Sequence, residues 1–330
     1  MRLAARLGSS LSVGDLIETA DQAVDAGIDA IWLNENPFER SACVSAAALG
    51  MRHPGLRLGI GSVSVRTRYP AIVAQDAVSA DAFLQHPLRL GLGVGMPSED
   101  GRKAMNAPTT SGLRLLEESI GRIRALTAGE TVPGWGGPAG GDLGLRVPGR
   151  RLPVLVAAMG PKTIALAGRL ADGIIFSMGS SVDYLAEAIQ LARDANDDGS
   201  DDEFVSYLYY GGDVPEDDAR VVLAPVVARL LAMSAEHGLD WMRAGVDLGG
   251  RDVDELLARI ADGADPVDEI PLSAIDALAL WGPPQKCVEQ LRAYEAAGVT
   301  EMALGVGLVE GTAAVGADVA ALTSAWRDRA

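Results

Sequence analysis

Short apolar runs alternate along this chain with longer stretches in which apolar residues recur every three or four positions. The first pattern predicts buried strands and the second amphipathic helices. Arg2–Gly8, Ala30–Leu33, Leu56–Val65, Leu88–Val94, Pro153–Ala158, Gly173–Met178, Glu203–Tyr210 and Glu301–Val306 read as strands. A helix is predicted from Ser12 or Asp15, either of which can cap it, through about Ala26. Its apolar face carries Ile17, Ala20 and Val24, and Gly27 stops it. Further helices are predicted at Ser41–Met51, Tyr69–Leu84 with Pro70 in its first turn, Leu113–Ala128, Lys162–Ala171, Val182–Ala195 and Glu216–Met233. Leu272–Leu280, Pro284–Ala297 and Val315–Arg329 complete the set.

About eight strands, each followed by a helix, is the count of a closed α/β barrel, and the expected fold is a (β/α)8 TIM barrel with inserted loops and helices. An open doubly wound sheet is the alternative. Residues 1–330 read as one domain, because no stretch resembles a linker. Two segments break the alternation. Gly129–Gly149 is rich in Gly and Pro and reads as an excursion with the character of a hairpin, and His237–Pro271 reads as inserted helices without a strand.

The chain has 330 residues and is 48% hydrophobic, enough for one large core. Its net charge of −17 and the lack of a Lys/Arg cluster argue against nucleic acid or an anionic membrane as partner, since polyanions need basic patches. No apolar run reaches the ~18 residues of a membrane span, and the N-terminal stretch lacks the apolar core of a secretory signal. Cys43 and Cys287 are too few for a disulfide framework and sit on helix faces as packing residues. A reduced, cytoplasmic setting is expected.

In a barrel of this kind chemistry gathers at the C-terminal ends of the strands. After the second strand comes Asn34-Glu35-Asn36, where Glu35 and Asn36 are candidates for proton transfer or ligand contact. After the third, Gly61-Ser62-Val63-Ser64 offers backbone that a flat ligand can approach. After the fourth, Gly91-Leu92-Gly93-Val94-Gly95 resembles a dinucleotide fingerprint only superficially, because no helix start follows it; it reads as a close-approach strand end closing at Gly95. After the fifth, Met159-Gly160-Pro161-Lys162 runs straight into a helix, and free N–H groups at a helix start attract phosphate. Ser177-Met178 after the sixth opens a second small, polar turn, and the two turns together read as a phosphate cradle. Ordinary capping is the competing reading of both turns.

No metal is expected. His53, His86 and His237 lie away from the strand ends, and no His/Cys/carboxylate set has ligand spacing. Neither a G-x-S-x-G elbow nor a Walker motif occurs.

The stretches Ala26–Glu35, Leu58–Asp76, Leu90–Gly95, Pro153–Asp172 and Trp281–Gly305 resemble the luciferase-like superfamily over nearly the whole chain. Within it the chain is most similar to deazaflavin enzymes of the methylenetetrahydromethanopterin reductase type, then to the F420-dependent sugar-phosphate dehydrogenases. The resemblance implies an oxidoreductase that moves a hydride between coenzyme F420 and an organic small molecule. An FMN-dependent monooxygenase and a non-catalytic flavin-binding subunit are the alternatives. It implies a homodimer, and a ring lying at the barrel mouth over a bulge after the third strand. A non-prolyl cis peptide is expected there at Ser62-Val63, and the phosphate site maps to Met159, Gly160 and Pro161. It also implies departures: relatives carry an acid-His pair where this chain reads Glu35-Asn36, and Met96 stands where the sugar-phosphate dehydrogenases have a glutamate. The loop Met96–Thr110 and the two insertions are expected to shape the substrate pocket.

Overall fold

Local signals decide most element boundaries. The Ser12 hydroxyl accepts the Asp15 N–H and starts a helix that ends one residue before Ala26, and Gly27 follows with φ +85°. Ser181 and Asp252 cap later helices in the same way. The computed structural model describes residues 1–36, 38–95, 103, 111–134, 141–196, 199, 202–305 and 315–329. Most of the loop Met96–Thr110, and Val306 at the expected end of the last strand, lie outside the described residues.

In chain order the elements are β1 (Arg2–Leu7), α1 (Val13–Asp25), β2 (Ala30–Leu33), α2 (Ala42–Arg52), β3 (Arg57–Ser64), α3 (Pro70–Asp81), β4 (Arg89–Gly93) and α4 (Gly112–Thr127). Then follow β5 (Val154–Ala157), α5 (Pro161–Leu170), β6 (Gly173–Phe176), α6 (Val182–Ala195), β7 (Glu203–Tyr210) and α7 (Glu216–Glu236). The chain closes with α8 (Val253–Ala261), α9 (Pro266–Glu269), α10 (Leu272–Leu278), β8 (Ala279–Leu280), α11 (Pro284–Ala296), β9 (Glu301–Gly305) and α12 (Val315–Arg327).

All strand pairs are parallel. β1 to β7 pair in sequence, β7 pairs with β9, and β9 returns to β1, closing an eight-strand barrel. The TIM barrel is therefore present, and the open sheet is excluded by the β9–β1 and β6–β7 pairings. One expectation changes. The helix read as Leu272–Leu280 ends at Leu278, and Ala279–Leu280 pairs with Tyr209 and Tyr210 as a short extra strand. The run is apolar throughout, so helix and strand read alike there.

Side chains alternate between two cores. Leu3, Leu7, Leu58, Ile60, Leu90 and Leu92 face outward and pack against the helix ring. Ala4, Ala30, Trp32, Leu155, Ile175, Val205, Tyr207 and Ala303 fill the interior. Trp32 fits only because Gly59 is its neighbour; a Cβ there would stand 2.5 Å from the indole. The two insertions occupy separate places. Val132 and Leu143 form an antiparallel bridge across the Gly129–Gly149 excursion, which gives it the expected hairpin character. The second insertion holds a 3-10 turn (Asp240–Arg243), α8 and α9, and builds a satellite core in which Leu256 and Ile270 join Leu223, Val227 and Leu231 of α7. Among the described residues no helix is long and apolar enough to cross a membrane.

Candidate active site

The N-terminal end of the barrel is plugged by charge. Glu301 accepts two hydrogen bonds from Arg89 Nη1, at 2.7 and 2.8 Å, and one from the Trp32 indole at 2.5 Å. Arg2 Nε lies 2.9 Å from its other oxygen. This floor leaves the C-terminal end as the open mouth, where the strand-end residues gather.

Ile60 pairs with Leu90, but the next pair on these strands is Val63 with Leu92, so β3 carries one extra residue. The bulge falls on Gly61 and Ser62, and the non-prolyl cis peptide is Gly61-Ser62. This corrects the expected position at Ser62-Val63. Val63 is back in the ladder opposite Leu92 and buried in the outer core, so the two irregular residues are Gly61 and Ser62, and the cis bond is the one between them. Gly61 faces inward: a Cβ there would meet the Tyr207 hydroxyl at 1.8 Å. Ser62 stands beside β4, its Oγ 2.9 Å from where a Gly93 side chain would begin. Gly95, with φ +73°, turns the chain away just beyond. The result is a shelf of backbone with few side chains at the mouth.

Glu35 is almost fully buried, its side chain 4% exposed. Its Oε2 accepts the Ala42 N–H at 2.7 Å, capping α2, and its Oε1 pairs with Arg68 Nη2. Burial pushes the carboxyl above its usual range, and the Ala42 N–H and Arg68 pull it partly back. Arg40, the other cation near Glu35 in sequence, donates instead to the Leu11 carbonyl. Asn36 accepts the Phe38 N–H at 3.1 Å and serves a turn.

The two strand-to-helix turns differ. At α5, Gly160 caps a helix with Pro161 in its first turn, and nothing lies within 4 Å of a Cβ built on Gly160. Pro161 and Lys162 are exposed, and the Met159 carbonyl is held by the Tyr184 hydroxyl at 3.1 Å. That helix start is open to an anion. The turn after β6 is not. Ser180 donates to the Ser177 carbonyl, Met178 is buried against Leu230 in the interior cluster, and the Ser181 N–H donates to Met242 of the inserted 3-10 turn. The expected cradle of two turns is thus one open turn backed by a second, covered one.

Arg6 and Tyr207 carry no strand-end motif and escaped the sequence reading, whereas Asn34 belongs to the strand end Asn34-Glu35-Asn36 already singled out. Arg6 Nε and Nη1, Asn34 Oδ1 and the Tyr207 hydroxyl are buried and have no hydrogen-bond partner among the described residues. The legible signal was a charged residue at an inward position of the apolar run Arg2–Gly8. Among the described residues, no group of three or more His, Cys, Asp or Glu side chains could hold a metal ion.

The family model described as luciferase-like monooxygenase matches residues 1–301. The chain belongs to the luciferase-like monooxygenase family. Among curated family relatives, the 5,10-methylenetetrahydromethanopterin reductase of Methanolobus tindarius is 28% identical over 301 residues, covering 87% of this chain and 88% of that one. The luciferase-like barrel is shared with the coenzyme F420 dependent tetrahydromethanopterin reductase of Methanopyrus kandleri, with TM-score 0.74, 18% identity and 93% of both chains covered. A type II Baeyer-Villiger monooxygenase of Pseudomonas putida, solved with FMN, superposes with TM-score 0.71 at 15% identity, covering 100% of this chain and 99% of that one. Both structural likenesses show the fold. The luciferase-like barrel mouth fits a flat ring with a phosphate tail on the chain's own features: the bare shelf at Gly61-Ser62, the open helix start at Gly160, and the unpartnered buried Tyr207 hydroxyl against Gly61.

Proposed function

We propose that this protein is an F420-dependent oxidoreductase that moves a hydride between the deazaflavin and an organic small molecule. Its curated relatives include a 5,10-methylenetetrahydromethanopterin reductase and F420-dependent glucose-6-phosphate dehydrogenases, and a flavin-dependent monooxygenase with FMN is the second reading, favoured by family neighbours such as the FMN complex from Pseudomonas putida. The observation that carries the proposal is the Gly61-Ser62 bulge opening onto the mouth beside Gly93.

When bound, coenzyme F420 supplies a ring that carries two electrons as hydride. The chain's own part is placement. Ser62 and Gly95 bound the shelf, with Val63 anchoring it in the wall. The Gly160 and Lys162 N–H groups at the start of α5, with the Lys162 ammonium and the flanking Met159 and Pro161, receive phosphate. Ser177 and Met178 support that turn from behind. Glu35 and Asn36 are given positioning roles, because both oxygens of Glu35 are already engaged by α2 and Arg68. Protonation is then left to solvent or substrate. Titration of the purified protein with F420 and with FMN, each followed by fluorescence, tests the reading. Tight F420 binding with weak FMN binding is expected; the reverse order would replace the proposal with the monooxygenase.

A homodimer belongs to the same reading. Val44, Ala48 and Met51 form an exposed apolar stripe along α2, next to exposed Ile72 and Phe83 around α3, where a monomer would place polar residues. Sedimentation of wild type against Val44→Asp checks it: a dimer that becomes a monomer is expected.

A further inference from the structure

Arg6 lies between Ala5 and Leu7, both packed in the outer core, so alternation along β1 turns its side chain into the barrel. Its guanidinium sits 5.5 Å from the centroid of the Tyr207 ring. Tyr207 in turn places its hydroxyl against Gly61 of the bulge. Arg6 is therefore linked to the shelf through Tyr207, whose ring meets the guanidinium and whose hydroxyl meets the bulge.

Among the described residues this guanidinium has no counter-ion. Its Nε and Nη1 are buried without hydrogen-bond partners among the described residues. Burial lowers its pKa, and the groups opposing that effect are the phenols of Tyr207 and Tyr209, with no carboxylate among them. The carboxylates of the interior are elsewhere and taken. Glu301 pairs with Arg2 four residues before the position opposite Arg6, which is Gly305, and Glu301 and Glu203 share Arg89. Glu35 at the mouth is held by Arg68. A buried charge costs several kcal/mol unless an opposite charge and hydrogen bonds compensate it. Burial keeps the Tyr207 phenol protonated, so its unpartnered hydroxyl is a second donor beside the guanidinium. The Asn34 amide, whose Oδ1 is also unpartnered, can present either end.

We propose that Arg6 and Tyr207 bind a carboxylate of the organic substrate beside the Gly61-Ser62 shelf, which makes the substrate a small carboxylic acid; this deepens the F420-dependent reading and rests on it for the reaction. The planar guanidinium suits a carboxylate better than a point charge would. Binding removes the cost of the lone cation and brings the acid's carbon skeleton next to the shelf.

Thermal unfolding of the apoprotein with acetate or benzoate, against chloride at equal ionic strength, tests the site in wild type, Arg6→Met and Arg6→Lys. Carboxylates are expected to raise the wild-type midpoint where chloride does not. Arg6→Met should weaken that binding roughly 10- to 100-fold, the range for losing a charged hydrogen bond. Arg6→Lys should fall between the two. The unliganded midpoint of Arg6→Met should not fall, since an apolar chain replaces an uncompensated charge. A lower midpoint, or a carboxylate response unchanged by Arg6→Met, would overturn the proposal. F420 titration of wild type and Arg6→Met separates the two sources of an anion. Equal affinities support the substrate, whereas a tenfold loss would hand Arg6 to the cofactor and overturn the substrate assignment. The carboxylate arm needs no cofactor, so an Arg6-dependent shift in a protein that binds no F420 would refute the F420 reading and still uphold the anion site.

Discussion

Glu35 and Arg68 form an ion pair at the barrel mouth that joins the end of β2 to the segment after β3, while Arg68 Nη1 reaches on to Asp76 at 3.0 Å. Glu35 also caps α2 through Ala42. Replacing it with Gln removes the charge that Arg68 faces and weakens the cap. Glu35→Gln is expected to lower stability by about 1–3 kcal/mol while turnover per folded molecule changes less than about threefold. Denaturant unfolding and turnover measured on one preparation check both. A loss of ~100-fold in turnover with normal stability would instead make Glu35 the proton donor.

Gly160 opens the helix start that receives phosphate in the proposed complex. Gly160→Asp has room for its side chain, because nothing surrounds that position within 4 Å. The variant should therefore fold, and its negative charge should weaken F420 binding at least tenfold, or ~1.4 kcal/mol. Equal affinities for mutant and wild type would remove phosphate from this turn.

At the floor of the barrel Glu301 is fully buried and answers Arg2, Arg89 and Trp32 together. Glu301→Gln strands the two guanidinium groups without their shared anion. A destabilisation of about 3–5 kcal/mol is expected, the range for breaking a buried ion pair from one side. Urea unfolding measures it. A change below about 1 kcal/mol would mean that the floor is hydrated and that the pairing contributes little.

Asp21 ties α1 to the end of α2. Arg52 donates to both its oxygens at 2.6 Å, and His53 Nε2 lies 2.7 Å away. Chiefly through the Arg52 hydrogen bond, its carboxyl is lowered to about 2. A folded-state pKa below the unfolded value of ~3.9 means stability that is present above that value and lost as pH falls toward 2. Wild type should melt above Asp21→Asn at pH 6, and the gap should close between about pH 4 and 2 and shrink in high salt. A gap independent of pH would assign the effect to packing.

Period-two and helical patterns, with Ser12, Gly27 and Pro161 as punctuation, missed the short strand Ala279–Leu280 but were enough to read the eight barrel strands, nearly all the helices and the helix start at Gly160. These depend on neighbours a few residues away, which a sequence displays directly. The bulge was legible to within one residue, because its place is set by the register against β4, and only the Ile60–Leu90 and Val63–Leu92 pairs locate it. The partner of Glu35, the cover that Met242 lays over the turn after β6, and the meeting of Arg6 with Tyr207 join residues far apart in the chain. Closing the barrel sets those distances: the ring turns alternate residues of every strand into one interior, and which of them then meet depends on the stagger between strands that no single segment encodes.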